Sequence, residues 1–327
     1  MDMTQFGGTP VSPYKSADVA GVVDWNFGYI MPHQRGKEQD DFHAAEVAAM
    51  PRFAITGSGT SEANKVALWE CSKVANGGRH FLVFRQVKGS CVGNGGGQIT
   101  WYLSAVEVVR LKDPEQVLLP WWFNAYAKSR EYAGLRGKGD GSFGSAFAKA
   151  ARLDGFWRAD DPELPQPNTD NGICWGGDVE WEWSDGPTIP KKWLEKSRTR
   201  LVKTTAPIKS ADEGRESVRN YYGYTIASDW GGLMQCPTEG GVLLNRRSGV
   251  WQHQMCVIGW QDHPTLGELF CVLNSWGPGA HGAPPDDAPP GSFWIKKADM
   301  DYICRNGEAF AFSQFDGFPA QRVEWIF

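Results

Sequence analysis

The pattern of apolar and polar positions is organised around residues 251–277, WQHQMCVIGWQDHPTLGELFCVLNSWG. Two apolar runs, residues 255–260 and 269–273, each have strand length, and Asp262, Pro264 and Gly267 between them supply turn chemistry. The stretch therefore predicts two paired antiparallel strands. One polar residue flanks each run: His253 precedes the first and Asn274 closes the second. Antiparallel pairing brings an imidazole and a carboxamide together at one end of the ladder. An imidazole, with an unperturbed pKa near ~6.5, exchanges protons at neutral pH, and a second group that fixes its ring and tautomer makes that exchange directional.

Further elements follow from the same pattern. Residues 61–75 (SEANKVALWECSKVA) predict a helix with Thr60 or Ser61 as N-cap and Asn76-Gly77-Gly78 as its stop. Residues 80–84 read as a short strand, and residues 99–111 as an apolar-periodic helix. Gly95, Gly96 and Gly97 lie before that run; each costs up to ~1 kcal/mol inside a helix, so they either delay its start or admit a close backbone approach. Helices are also expected over residues 121–132 behind Pro120, 142–154 before Gly155, and 211–222. Residues 159–192, rich in Asp, Pro, Gly and Trp, read as a long irregular connection. From residue 223 strands dominate: 224–227, 241–245, the two strands above, 292–296 and 308–312. Helices first and strands second predict an α+β chain of two lobes with a cleft between them.

Composition narrows the alternatives. With 327 residues, 41% of them hydrophobic and 22% charged, the chain can bury one large core. The expected division is an extended N-terminal arm over residues 1–60, a mainly helical lobe over 61–210 and a β-rich lobe over 211–327. The arm also has the position of an inhibitory pro-segment, although it shows no long helical propeptide pattern. No apolar run approaches the ~18 residues of a membrane span, and MDMTQFGGTP lacks the basic and apolar regions of a signal peptide. The expectation is a cytoplasmic chain, or a virion one if phage-borne, with no membrane partner. A net charge of -5 with interspersed signs leaves no basic footprint for nucleic acid. The seven cysteines are scattered without metal-site spacing, so neither a metal nor a cofactor is expected.

One cysteine stands apart. Cys91 follows Gly89-Ser90 and leads toward the helical run, which sets its thiol at or near a helix N-terminus, where the dipole and free N–H groups favour a thiolate. Gln86 lies five residues before it, and its amide is a candidate oxyanion donor. The other six cysteines read as small core hydrophobes.

Gly89-Ser90-Cys91 behind a glutamine, a later histidine before an apolar strand, and then Asn274-Ser275-Trp276-Gly277 resemble, in that chain order, the papain family of cysteine peptidases. The nucleophile context is closer to the divergent bacterial and phage-borne branch. The resemblance implies a papain-like two-lobed fold, a helical lobe facing a β-rich, barrel-like one. It also implies catalysis by Cys91, His253 and Asn274 with Gln86, support from Trp276, and a peptide or protein substrate. The glycine-rich turn holding Gly139, Asp140, Gly141 and Ser142 matches the family's substrate-binding loop. Two features depart from the family. Its glutamine usually stands six residues before the cysteine, where this chain has Arg85, and the tetrad runs on into a Pro-rich loop, residues 278–290. His281 in that loop is a competing base for which the sequence offers no orienter.

Two other functions fit the same residues. A papain-like scaffold serving as a structural part of a virion or larger protein assembly accounts for the sixteen tryptophans. A transglutaminase-like or cell-wall amidase fold also uses Cys then His, but completes the triad with Asp or another His, against which Asn274 argues.

Overall fold

The structure is a computed structural model and describes residues 28–57, 63–112, 116–117, 119–185 and 191–320. Its centre is a mixed-length antiparallel sheet built on one long strand. That strand, β8 (Val250–His263), pairs with β9 (Gly267–Leu273) through a short turn, and β9 pairs with β10 (Ser292–Lys296). On its other side β8 meets β5 (Tyr224–Trp230), followed by β11 (Glu308–Ser313) and β4 (Thr204–Pro207). Past the end of β5, β1 (Lys65–Ala67) joins β8 through Lys65–Gln261, Val66–Trp260 and Ala67–Gly259. Two-residue ladders β2 (Pro120–Trp121) with β3 (Trp157–Arg158), and β6 (Thr238–Glu239) with β7 (Val242–Leu243), lie outside this sheet.

Among the described residues the expected barrel is not closed. The seven strands run in the open order β10-β9-β8-β5-β11-β4 with β1 beside β8. β8 is buried from Trp251 to Gln261, on both faces of the sheet, with Gln252, His253 and Gln254 as buried polar residues beside the apolar run. One face is covered by α3 (Cys91–Arg110) and its neighbours, the other by α8 (Ala211–Arg219) and α9 (Lys297–Asn306).

The helical lobe comprises α2 (Leu68–Ala75), α3, α4 (Phe123–Tyr132), α5 (Gly144–Leu153), α6 (Gly177–Asp185) and α7 (Lys191–Ser197). The helix expected over residues 61–75 begins only at Leu68, because Lys65–Ala67 pairs with β8; its anticipated cap lies at residues outside those described. The irregular connection over 159–192 contains α6 and the start of α7. The glycines of α3 resolve in favour of close approach. The helix starts at Cys91, and a Cβ on Gly96 would stand 2.0 Å from Phe147 Cε1. Residues 28–57, expected as an extended arm, contain α1 (Lys37–Ala49), which lies against α5. Among the described residues no helix is long and apolar enough to cross a membrane.

Candidate active site

Strand pairing produces the first contact. Cys256 on β8 faces Leu273 on β9, so residues just beyond this pair share one end of the ladder. There His253 Nε2 lies 2.7 Å from Asn274 Oδ1, and the Ser275 backbone N–H donates to the same oxygen at 2.7 Å. A backbone N–H is only a donor, so it fixes Oδ1 as the acceptor and makes His253 Nε2 carry the hydrogen. In the neutral ring the lone pair is then on Nδ1. Trp276 stacks on the imidazole with ring centroids 4.7 Å apart and is itself buried against Trp251.

Cys91 opens α3 and is brought to β8 by that helix. The Gln254 backbone N–H donates to Cys91 Sγ at 3.4 Å, and Gln254 Nε2 donates to Val92 O at 3.0 Å. The thiol thus lies beside the residue that follows His253. Ser90, the N-cap residue, does not cap α3 with its side chain. Its hydroxyl donates to Glu180 Oε2 at 2.5 Å, while Glu180 Oε1 accepts from Val87 N at 3.2 Å. Asp140 Oδ2 accepts from Gly89 N at 2.9 Å. Two carboxylates therefore hold the loop before the cysteine by its backbone.

Gln86 is buried in that loop. Its Oε1 accepts from Ser275 Oγ at 2.5 Å, its backbone N–H donates to Ser275 O at 2.9 Å, and its Nε2 donates to Lys88 O at 3.1 Å. The amide NH2 therefore turns toward the loop that ends at Cys91.

The glycine-rich turn borders the same place. Arg130 donates to the carbonyls of Gly139 and Gly141, and Tyr126 OH joins Gly141 N to Gly89 O. Asp140 points at the nucleophile loop, and Ser142 Oγ pairs with Ser129 Oγ at 2.8 Å. The backbone of Ser142 binds a strand of the chain itself: Ser142 N donates to Gly28 O and Ile30 N to Ser142 O, both at 2.9 Å.

That strand crosses the site. Tyr29 N donates to Gln252 O on β8 at 3.2 Å, so residues 28–30 touch both lobes. The Gly28 backbone amide joins those of Gln254 and Val92 around the Cys91 sulfur. A Cβ on Gly28 would stand 1.7 Å from Gly89 O, so only glycine fits there. Downstream, Arg35 donates to Glu308 on β11, with both side chains no more than 4% exposed.

Covered in this way, Cys91 is fully buried and desolvation pushes its thiol up to about 12; the surrounding backbone amides pull it down and the Asp140 charge pushes it further up. Burial likewise holds His253 down to about 3, against the opposing Asn274 hydrogen bond. Thiol and imidazole are both neutral in this state. Glu180 is pushed up to about 7, mainly by burial. A groove of about 410 Å³ lined by Glu107, Trp157, Arg200 and Phe315 lies elsewhere and includes none of these residues.

His281 differs from its expectation. It is fully buried, and its Nδ1 lies 3.2 Å from Leu233 O and its Nε2 2.8 Å from Asn274 Nδ2. It stands behind the amide, on the side away from His253. Glu180, Tyr126, Arg130 and Gln254 were not singled out in the sequence. Each is a lone polar residue whose partner is more than ten residues away or in a loop, and no spacing signals it.

No protein-family model matches the chain, and no curated protein matches it. Solved structures are. Xylellain, a cysteine protease from Xylella fastidiosa, superimposes with a TM-score of 0.52 at 15% identity over 89% of this chain and 97% of its own. Procathepsin B from Trypanosoma congolense gives 0.54 at 10% identity over 88% and 92%. The ragweed pollen allergen Amb a 11, a cysteine protease in its proform, gives 0.50 at 13% over 85% and 76%. The chain has the papain-like two-lobed fold.

Proposed function

We propose that this protein is a cysteine peptidase that hydrolyses peptide bonds through Cys91, His253 and Asn274. One observation carries the reading: the histidine that bonds Asn274 at 2.7 Å is followed by the residue whose amide reaches Cys91 Sγ at 3.4 Å, at the first residue of a helix. His253 Nδ1 takes the thiol proton, and the thiolate attacks the scissile carbonyl carbon. The Cys91 backbone N–H and the Gln86 amide receive the oxyanion. As the tetrahedral species collapses, the C–N bond breaks and His253 returns its proton to the leaving amine. Water, deprotonated by His253, then hydrolyses the thioester and restores the thiol. Asn274 holds the imidazole throughout, and Trp276 shields their bond from solvent.

The Gly139–Ser142 turn serves as the substrate rail. Its backbone already pairs with an extended segment of chain at Ser142, which supports a peptide or protein as substrate. The same pairing supports a second feature. Residues 28–30 act as a strap that covers the thiol, and the ion pair of Arg35 with Glu308 latches it. Activity then requires the strap to lift. A scaffold role within a virion or larger assembly, the competing reading, requires no reactive thiol.

The test is iodoacetamide alkylation of each cysteine against pH, read by mass spectrometry in the native protein and in His253→Ala. The strap slows labelling but leaves its pH dependence. A Cys91 rate that stays high well below pH ~7, and loses that dependence in the variant, is the expected result. A rate tracking a free thiol of pKa ~8.5, or labelling only on unfolding even when Gly28→Val displaces the strap, overturns the peptidase reading in favour of the scaffold.

A further inference from the structure

The hydrogen bonds around Asn274 form a chain whose two ends have fixed roles. At one end the Ser275 N–H donates to Asn274 Oδ1. The amide nitrogen Nδ2 must then face the other way, toward His281 Nε2 at 2.8 Å, and a carboxamide nitrogen only donates. His281 Nε2 is therefore an acceptor. Its hydrogen is on Nδ1, 3.2 Å from Leu233 O, a carbonyl that only accepts. The tautomer of His281 follows from its neighbours, and burial, which holds its pKa down to about 4, keeps the ring neutral at physiological pH.

The backbone is shaped for this. His281 has φ of 69°, the left-handed region that a non-glycine residue seldom occupies, and such outliers concentrate where surrounding structure enforces them. Here His281 N donates to Met234 O at 3.0 Å and Cys236 N donates to His281 O at 3.0 Å. The ring is enclosed by Phe293, Trp276 and Trp251, with centroids 4.6, 5.7 and 5.8 Å away.

We propose that His281 is a positioning residue for the reaction, a neutral acceptor that holds the Asn274 amide with its oxygen toward His253 and so sets Nδ1 of His253 as the base. The relay Leu233 O, His281, Asn274, His253 replaces the bare amide that the triad alone would supply. Its role in the reaction rests on the peptidase reading, but its structure does not.

The experiment uses 15N-histidine-labelled full-length protein, whose two-bond ring correlations report the tautomer of each histidine, in the wild type and in His281→Phe and His281→Gln. Phenylalanine keeps the ring shape and removes the acceptor, whereas glutamine can present Oε1 at the Nε2 position. In the wild type at pH 7 the expected forms are Nδ1–H for His281 and Nε2–H for His253. In His281→Phe only the Ser275 N–H still holds the amide oxygen toward His253, so the Nδ1–H form of His253 should rise above its wild-type share, and Cys91 alkylation should slow by roughly 10-fold, the lower end of the loss seen when outer partners of metal-bound histidines are removed. His281→Gln should restore both. An Nε2–H or charged His281 in the wild type overturns the proposal without any variant needing to fold. So does a folded His281→Phe with an unchanged His253 tautomer. Should Cys91 prove unreactive even in Gly28→Val while the tautomers are as stated, the peptidase reading falls and the hydrogen-bond relay stands.

Discussion

Replacing Gly28 by valine should expose the nucleophile. The Cβ of any residue there would stand 1.7 Å from Gly89 O, where ordinary contact begins at 3.4 Å, so the strap must retreat by well over an ångström. Retreat breaks the 2.9 Å bond from Ser142 N to Gly28 O and strains that from Tyr29 N to Gln252 O. Forcing a side chain into a filled site costs about 1–3 kcal/mol. A shift of that size between covered and open states multiplies the open fraction by roughly 5 to 150. While the covered state dominates, the labelling rate of Cys91 scales with that fraction. Iodoacetamide labelling at pH 7, followed on the peptides of Cys91 and of Cys256, measures it. Cys256 is fully buried in β8 and reports global unfolding. Faster labelling of Cys91 alone is expected. An unchanged Cys91 rate in folded Gly28→Val, or an equal rise at both cysteines, refutes the strap.

Two more predictions concern buried charge. Glu180 titrates at about 7 against an ordinary 4.5, so the native state holds its proton more tightly than the unfolded chain, and stability falls as pH rises through that window. The loss is on the order of 3 kcal/mol. Glu180→Gln should lack it; urea unfolding at several pH values would show a difference between the two proteins that grows from pH 4.5 to 7, and a flat difference would count against the assignment. Arg35→Met leaves Glu308 buried without its guanidinium, which costs about 3–5 kcal/mol. Limited proteolysis should then nick residues 28–57 before the rest of the chain unfolds, and simultaneous Glu308→Gln should recover part of the lost stability. Nicking no faster than in the wild type would show that the pair does not latch the strap.

The meeting of His253 with Asn274 was legible because it is a local event. Two apolar runs joined by a short turn can pair in few registers, because the length of the turn fixes which residues stand opposite each other. The placing of Cys91 at or near a helix start was equally local, whereas the glycines of α3 left a delayed start and a close approach both open until the packing against Phe147 decided. Elsewhere local preference lost to tertiary contact. Residues 65–67 sit in a good helical stretch yet pair with β8, because the end of that strand beyond β5 would otherwise present unpaired backbone groups. The helix α9 was missed, since KADMDYICRN alternates charge and apolar residues with no capping signal to mark it.

The sequence by itself determined an α+β chain, the strand pair that carries His253 and Asn274, and a cysteine at a helix start, since hydrophobic period and turn residues act over a few positions. Only the tertiary structure decided that Glu180 and Asp140 grip the nucleophile loop, that His281 stands behind Asn274, and that Gly28 lies on the thiol. Those partners come from loops and helices far apart in the chain. A single buried polar residue leaves no periodic trace, and its partner is chosen by the packing that desolvates both.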